Sequence, residues 1–246
     1  MVDHSYADLS LAALYDSLNP WGPGDDFYLD LVMSAGSVLD VGCGTGQLLR
    51  RARRDGHGGR LMGLDPAAAM LVQARQGDPN VEWVLGDLRS RLWHGHDFDL
   101  VLMTGHVFQV LLGDEELRRA LTAVRGALSA TGRFVFETRN PTARAWENWT
   151  PDRMREVPGA DGSAVRVRYE LLGPPVGDRI TFTETFEGPS WDRPRVSRAT
   201  LRFLGPERLA DFLTEAGLTV AEQYGDWTRG PVTPGSPEII TVARPA

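Results

Sequence analysis

The hydrophobic positions of this 246-residue chain change period several times. Over residues 7–18 and 25–33 apolar residues recur every three to four positions, which predicts two helices. Between them Asn19-Pro20-Trp21-Gly22-Pro23-Gly24 breaks the helical run, because Pro and Gly cannot continue it. From residue 37 short apolar runs alternate with helical stretches. The runs at 37–41, 60–64, 81–85, 98–103 and 133–138 read as strands. The stretches at 47–54, 66–74 and 113–128 read as helices, the second with Pro66 in its first turn. Such alternation predicts right-handed crossovers and a parallel sheet. Between Val165 and Phe203 the period drops to two: Val165, Val167 and Tyr169 alternate with arginines, and Ile180, Phe182 and Phe186 with threonines. Three antiparallel strands fit this pattern, preceded by a short helix at 142–149. A helix at 206–216 and strands at 218–224 and 238–243 close the chain.

These elements predict an α/β fold: a doubly wound, seven-stranded, mostly parallel sheet whose last strand is antiparallel. The divisions expected are N-terminal helices over 1–36, an α/β core over 37–139, an antiparallel β insertion capping the active edge over 140–204, and the C-terminal part of the core over 205–246.

Bulk properties remove several functions. Hydrophobic residues make up 42% of the chain and charged residues 24%, ordinary values for a globular protein. No apolar run reaches the roughly 20 residues of a membrane helix, and the acidic, polar start is not a secretory signal. Cys43 is the only cysteine. That rules out an intrachain disulfide or a cysteine metal cluster and suits a reducing, cytoplasmic setting. The net charge is -7 and every basic residue other than histidine is Arg. Without Lys there is no Schiff-base lysine and no P-loop. The acidic balance argues against a nucleic-acid partner, and the run at 50–54 reads as the solvated face of a helix. Nothing points to a membrane partner; a monomer or homodimer is expected.

The chemistry concentrates at Val38-Leu-Asp-Val-Gly-Cys-Gly-Thr-Gly46, behind the first strand. Ligands of open α/β sheets bind at such strand-to-helix junctions, and the helix after Gly46 offers free N–H groups. A dinucleotide fingerprint needs a third glycine where Gln47 stands. A nucleoside carrying an amino acid fits better. Asp65, ending the second strand, can accept from ribose hydroxyls, and Gly86-Asp87, ending the third, from an adenine amine.

Together these residues resemble the class I S-adenosylmethionine-dependent methyltransferases, from about Tyr15 to Ala243 apart from the insertion. Val38 to Gly46 matches that family's glycine motif, Leu64-Asp65-Pro66 with Met70-Leu71 its ribose segment, Gly86-Asp87-Leu88 its adenine segment, and Phe98 to Met103 its fourth strand. The resemblance implies a Rossmann-like methyltransferase fold, with S-adenosyl-L-methionine as methyl donor and S-adenosyl-L-homocysteine as product. It implies that Asp40, Gly42 and Gly44 face the methionine end, Asp65 and Pro66 the ribose, Gly86, Asp87, Leu88 and Met70 the adenine, and Thr104 the sulfonium. Tyr15 would reach the methionine carboxylate.

Beyond the cofactor, His106 at the carboxyl edge of the fourth strand is the candidate general base. Arg139 and Trp146 are candidate acceptor contacts, the first by a bidentate grip on a carboxylate, the second as an aromatic wall. Cys43 reads as a small filler inside the loop. His94 and His96 have metal-like spacing but are too few, so no metal is expected. The fourth strand lacks the Asn/Asp-Pro-Pro-Tyr/Phe ending of enzymes that methylate planar nitrogens. A small-molecule O- or N-methyltransferase is the expected function. An RNA or protein methyltransferase, an NAD-dependent oxidoreductase and a non-catalytic cofactor-binding protein are the alternatives.

Overall fold

A computed structural model describes residues 3–88, 97–159 and 161–246. Four helices lead: α1 (His4–Ala7), α2 (Leu9–Ala12), α3 (Tyr15–Leu18) and α4 (Pro23–Met33). Strand–helix alternation follows, with β1 (Ser37–Val41), α5 (Gln47–Arg54), β2 (Arg60–Asp65), α6 (Ala68–Gly77), β3 (Glu82–Leu85), β4 (Phe98–Met103), α7 (Asp114–Ala127) and β5 (Leu128–Arg139). The insertion supplies β6 (Arg155–Pro158), β7 (Ala164–Leu171), β8 (Arg179–Glu187) and β9 (Arg195–Arg202). α8 (Pro206–Glu215), β10 (Leu218–Tyr224) and β11 (Glu238–Pro245) complete the chain.

The main sheet runs β10-β11-β5-β4-β1-β2-β3. β1 to β5 are parallel. β11 is antiparallel to both β5 and β10, as the strand pattern predicts. The central strands are apolar on both faces because helices cover both. Leu39, Val101, Phe134 and Phe136 face one side with α7 and α8, while Val38, Leu100, Leu102 and Val135 face the other with α4 and α5. The strand order reverses between β1 and β4, which opens a crevice at their carboxyl ends.

The N-terminal region departs from the single helix expected at 7–18. Asp8 cuts it: its Oδ1 accepts from Ser10 N at 2.8 Å and Leu11 N at 3.4 Å, capping a new helix start. Leu11, Leu14 and Leu18 then pack on Val157, Val165, Val167 and Phe186 of the cap.

The cap is a four-stranded antiparallel sheet, β6-β7-β8-β9, rather than three strands. The additional strand, β6, buries only Val157 and ends in Pro158, so it carries no alternation to read and behaves as an edge. The helix expected at 142–149 is two 3₁₀ turns separated by Arg144 at φ 46°. α6 begins at Ala68 rather than Pro66, because Asp65 Oδ1 accepts from Ala67 N at 2.7 Å and holds that turn outside the helix.

Arg202 fastens the cap to the core. Buried at 7% exposure, it donates from Nε to Asp178 at 2.7 Å and from Nη2 to Asp114, the first residue of α7, at 2.6 Å. Its carbonyl accepts from Gln109 Nε2 at 2.9 Å. Among the described residues no helix is long and apolar enough to cross a membrane.

Arg202→Met keeps the stem but deletes both charged hydrogen bonds, leaving two partly exposed acids that water can solvate. A loss of about 1.5–3 kcal/mol is expected in urea unfolding. Asp114→Asn, which leaves the Asp178 bond, should lose about 1 kcal/mol. Equal losses for the two variants would show that Asp178 contributes nothing.

Candidate active site

After β1 the chain folds back on β2: Gly42 N and Cys43 N both donate to Leu64 O, at 2.7 and 3.2 Å. Gly42, Gly44 and Gly46 have φ of 75°, 56° and 72°, the left-handed region that favours glycine. Two of them also lack room. A Cβ on Gly42 would lie 2.6 Å from Val107, and one on Gly46 2.2 Å from the Trp83 ring. Asp65 closes the loop from the side, accepting from Gly44 N at 2.8 Å. Its carboxylate therefore holds the loop's own backbone in this structure. Cys43 is buried with Leu71 and Ala74 against Trp83, and burial pushes its thiol pKa up. It fills space and is no nucleophile.

Three buried acids stand at this edge: Asp40, Asp65 and Glu137. Burial, then the charges of Asp65 and Glu137, push the pKa of Asp40 up to about 7. Asp40 Oδ1 has no hydrogen-bond partner among the described residues. A buried carboxylate oxygen left so is costly unless a cation or donor reaches it.

Tyr15 lies over the loop, its Cε1 3.7 Å from where a Cβ of Gly44 would be and its hydroxyl 3.5 Å from that of Gly105. Asp16 holds it there. One carboxylate oxygen accepts from the Thr45 hydroxyl and the other from Arg50 Nη2 at 3.0 Å. Sequence reasoning singled out Tyr15 and passed over Asp16, although the two form one Tyr-Asp pair.

Most of the residues expected at the adenine come together. A cavity of about 610 Å³ is lined by Gly42, Pro66, Gly86, Asp87 and Leu88, with Met103 and Val107 also on its wall. Met70 is elsewhere: it is buried with Ala12, Ala67 and Ala69 beneath Tyr15. Thr104 sits at the end of β4, its carbonyl accepting from Val107 N at 3.4 Å.

Past Thr104 the chain turns through Gly105 and His106, both at positive φ. His106 N donates to Glu137 Oε1 at 2.8 Å, and Tyr28 Oη donates to the other oxygen of the same carboxylate. His106 Nε2 lies 3.0 and 3.1 Å from the two oxygens of Glu238. Arg139 donates to Gln109 Oε1 at 3.1 Å and lies over the Trp149 ring, 5.4 Å from its centroid. Burial lowers the Arg139 pKa; Glu238 and Glu137 oppose this, as do Tyr6 and Tyr169. Trp149, not Trp146, is thus the aromatic residue beside Arg139. Trp146 is buried in the cap's own core with Ile180 and Phe203. On the cap's inner face Tyr169, Glu184 and Ser197 form a polar row across neighbouring strands. Burial raises the Glu184 pKa, against hydrogen bonds from Tyr169 and Ser5. Glu137, Glu238, Tyr169 and Glu184 were not singled out from the sequence. Only the gap that Glu184 leaves in the apolar alternation of β8 could have signalled any of them.

Known proteins resemble this chain. The family described as "Methyltransferase domain" matches residues 38–132. A 2-phytyl-1,4-naphtoquinone methyltransferase of Thermosynechococcus vestitus is 43% identical over 182 residues, 68% of this chain and 79% of the relative. The chain belongs to the class I S-adenosylmethionine-dependent methyltransferases. Among solved structures, the CcbJ methyltransferase from Streptomyces caelestis aligns at TM-score 0.75 and 22% identity over 98% of both chains. CalS10, an amino pentose methyltransferase from Micromonospora echinaspora solved with its methyl donor bound, aligns at TM-score 0.69 and 23% identity over 95% of this chain and 97% of that one. In this methyltransferase the glycine-rich loop, the partnerless Asp40 oxygen and the cavity beside Gly86, Asp87 and Leu88 fit a cationic, adenosine-bearing donor. Among the described residues no group of three or more His, Cys, Asp or Glu could hold a metal, and His94 and His96 lie outside those residues.

Gly46→Ala adds a Cβ into Trp83 at positive φ, and a stability loss of at least about 2 kcal/mol is expected by thermal or urea unfolding. Gly44→Ala, whose Cβ meets only the Tyr15 ring edge at 3.7 Å, should lose about 1 kcal/mol, from φ alone. The reverse order would contradict the packing of Trp83.

Proposed function

We propose that this methyltransferase transfers its methyl group to a nitrogen or oxygen of a small molecule held between the N-terminal helices, the carboxyl edge of the sheet and the cap. The observation that carries this reading is the buried Asp40 oxygen with no partner, set beside the glycine loop. In this reading Asp40 and the Gly42 and Gly44 backbone receive the methionine end, whose ammonium supplies the missing partner. Asp65 and Pro66 receive the ribose. Each oxygen of Asp65 has a second lone pair, so it can take a hydroxyl while keeping its backbone bond. Gly86, Asp87 and Leu88 receive the adenine, Tyr15 covers the methionine carboxylate, and Thr104 lies beneath the sulfur. Met70 supports this platform from below.

The bound donor supplies an electrophilic methyl on a sulfonium. The acceptor's lone pair attacks that carbon while the carbon–sulfur bonding pair stays on sulfur, and the acceptor's proton leaves to His106. The chain's own contribution is alignment and exclusion of water. In this reading Glu238 and Glu184 line the acceptor's place with Arg139 as the opposing charge, a lining suited to an acceptor with amino or hydroxyl groups. CalS10 is an amino pentose methyltransferase, which supports the amine. The acidic chain and the absence of lysine favour a small molecule over RNA, and a cytoplasmic setting suits a single reduced cysteine.

Calorimetry tests the reading. S-adenosylmethionine and S-adenosylhomocysteine should bind, and NAD should not; preference for NAD would overturn it. A second outcome follows from Asp40. Its pKa is raised to about 7, so below that pH the empty protein holds it protonated. An ammonium favours the ionised form, so binding at pH 6 should release protons, and binding at pH 8.5 should not. Titrations in buffers of different ionisation enthalpy read this directly. Asp40→Asn should abolish the release and weaken binding by about 1.5–3 kcal/mol.

A further inference from the structure

His106 occupies a backbone conformation that needs support. At φ 63° and ψ 22° it is left-handed, directly after Gly105 at φ 65°. For a residue with a side chain this conformation is unfavourable and persists only where the surroundings hold it. Here they do. The buried Glu137 carboxylate accepts the His106 N–H at 2.8 Å and is itself held by the Tyr28 hydroxyl. The backbone at His106 is therefore clamped from inside the sheet, and the ring is aimed along the sheet's carboxyl edge.

The ring is held from a second element. Glu238 opens β11, opposite Arg139 in the register with β5. Because β11 is antiparallel, its first residue reaches the edge where the parallel strands end. The loop before it is fixed by Asn140, whose N donates to Pro237 O at 3.0 Å and whose Nδ2 donates to Ser236 O at 2.9 Å. Both Glu238 oxygens converge on His106 Nε2, with side-chain exposures of 15% and 20% for the two residues. A carboxylate only accepts, so Nε2 must carry the proton. The neutral ring's lone pair is then on Nδ1, and no hydrogen bond to Nδ1 is present among the described residues.

We propose that Glu238 is a positioning residue: it fixes His106 as the Nε2–H tautomer and thereby makes Nδ1 the atom that takes the acceptor's proton. This rests on the methyl-transfer reading with His106 as base. As the acceptor's lone pair forms its bond to the methyl carbon, the carbon–sulfur pair stays on sulfur. The N–H or O–H proton moves to Nδ1, and the Glu238 carboxylate stabilises the imidazolium that forms. The inward-facing Glu137 holds the backbone and takes no proton.

Nitrogen-15 NMR of the ring in the protein saturated with S-adenosylhomocysteine tests this without knowledge of the acceptor. The signal is assigned by its loss in His106→Gln, and spectra are recorded at alkaline pH, where the ring is neutral. The wild type should show one tautomer, Nε2 protonated and Nδ1 pyridine-like. Glu238→Gln, whose amide can donate as well as accept, should lose that single tautomer, and Glu238→Asp should retain it. Both variants should bind S-adenosylhomocysteine within about threefold of wild type, since Glu238 is no part of that site. A wild-type ring protonated on Nδ1, or an unchanged tautomer in Glu238→Gln, overturns the proposal. If Glu238→Gln does not fold, the wild-type and Glu238→Asp spectra decide. Failure of the wild type to bind S-adenosylhomocysteine would instead sink the donor assignment and is read separately by calorimetry.

Discussion

Three carboxylates buried at one edge of an apolar sheet are the constraint on which this protein's active edge is built. Burial raises the proton affinity of all three, Asp40, Asp65 and Glu137, and at Asp40 the charges of Asp65 and Glu137 raise it further, so each must be paired to stay in the core. Two are satisfied from within. Asp65 takes backbone N–H groups from the loop and from the start of α6, and Glu137 takes the Tyr28 hydroxyl and the His106 N–H. Asp40 Oδ1 has no partner among the described residues. The edge is thus electrostatically incomplete, and in the proposed reading the donor's ammonium completes it. The same internal bonds fix the glycine loop and the His106 turn, so the geometry offered to a ligand exists before the ligand arrives.

The cap contributes a different kind of surface. Its inner face is largely apolar where it meets the N-terminal helices, yet a polar row of Tyr169, Glu184 and Ser197 crosses it. Polar groups on a covered sheet face are retained where they are bonded, and here Ser5 reaches across: its N–H donates to Ser197 Oγ at 3.0 Å. Arg139, over the Trp149 ring, also feels the charge of Glu238 and neighbours Tyr169, so cation, aromatic ring and acid meet where the cap joins the sheet.

The strands of the main sheet and the glycine loop were legible because their causes are local. Buried parallel strands need unbroken apolar runs, and the loop needs glycine for its φ angles and for the space taken by Val107 and Trp83. What was not legible depends on contacts between distant segments. Glu238 is an ordinary strand residue until an antiparallel partner brings it beside His106. Glu137 looks like an alternation error in β5 until Tyr28 is placed against it. Asp8 reads as a polar position on a helix, whereas its side chain ends that helix. β6 has one buried residue and so no period. Trp146 and Trp149, three positions apart, both pack on Phe203 in the cap, but only Trp149 also meets Arg139, a distinction that depends on the distant strands they pack against.

The N-terminal segment is held from both sides. Leu11, Leu14 and Leu18 belong to the cap's core, Arg155 Nη2 donates to Leu18 O at 2.7 Å, and Asp16 bonds to Thr45 and Arg50 at the glycine loop. One short piece of chain therefore ties the cap to the glycine loop. In the proposed reading it would be a wall common to donor and acceptor, so loosening it for donor exchange would disturb the acceptor's place as well, and the two ligands would be energetically linked through it.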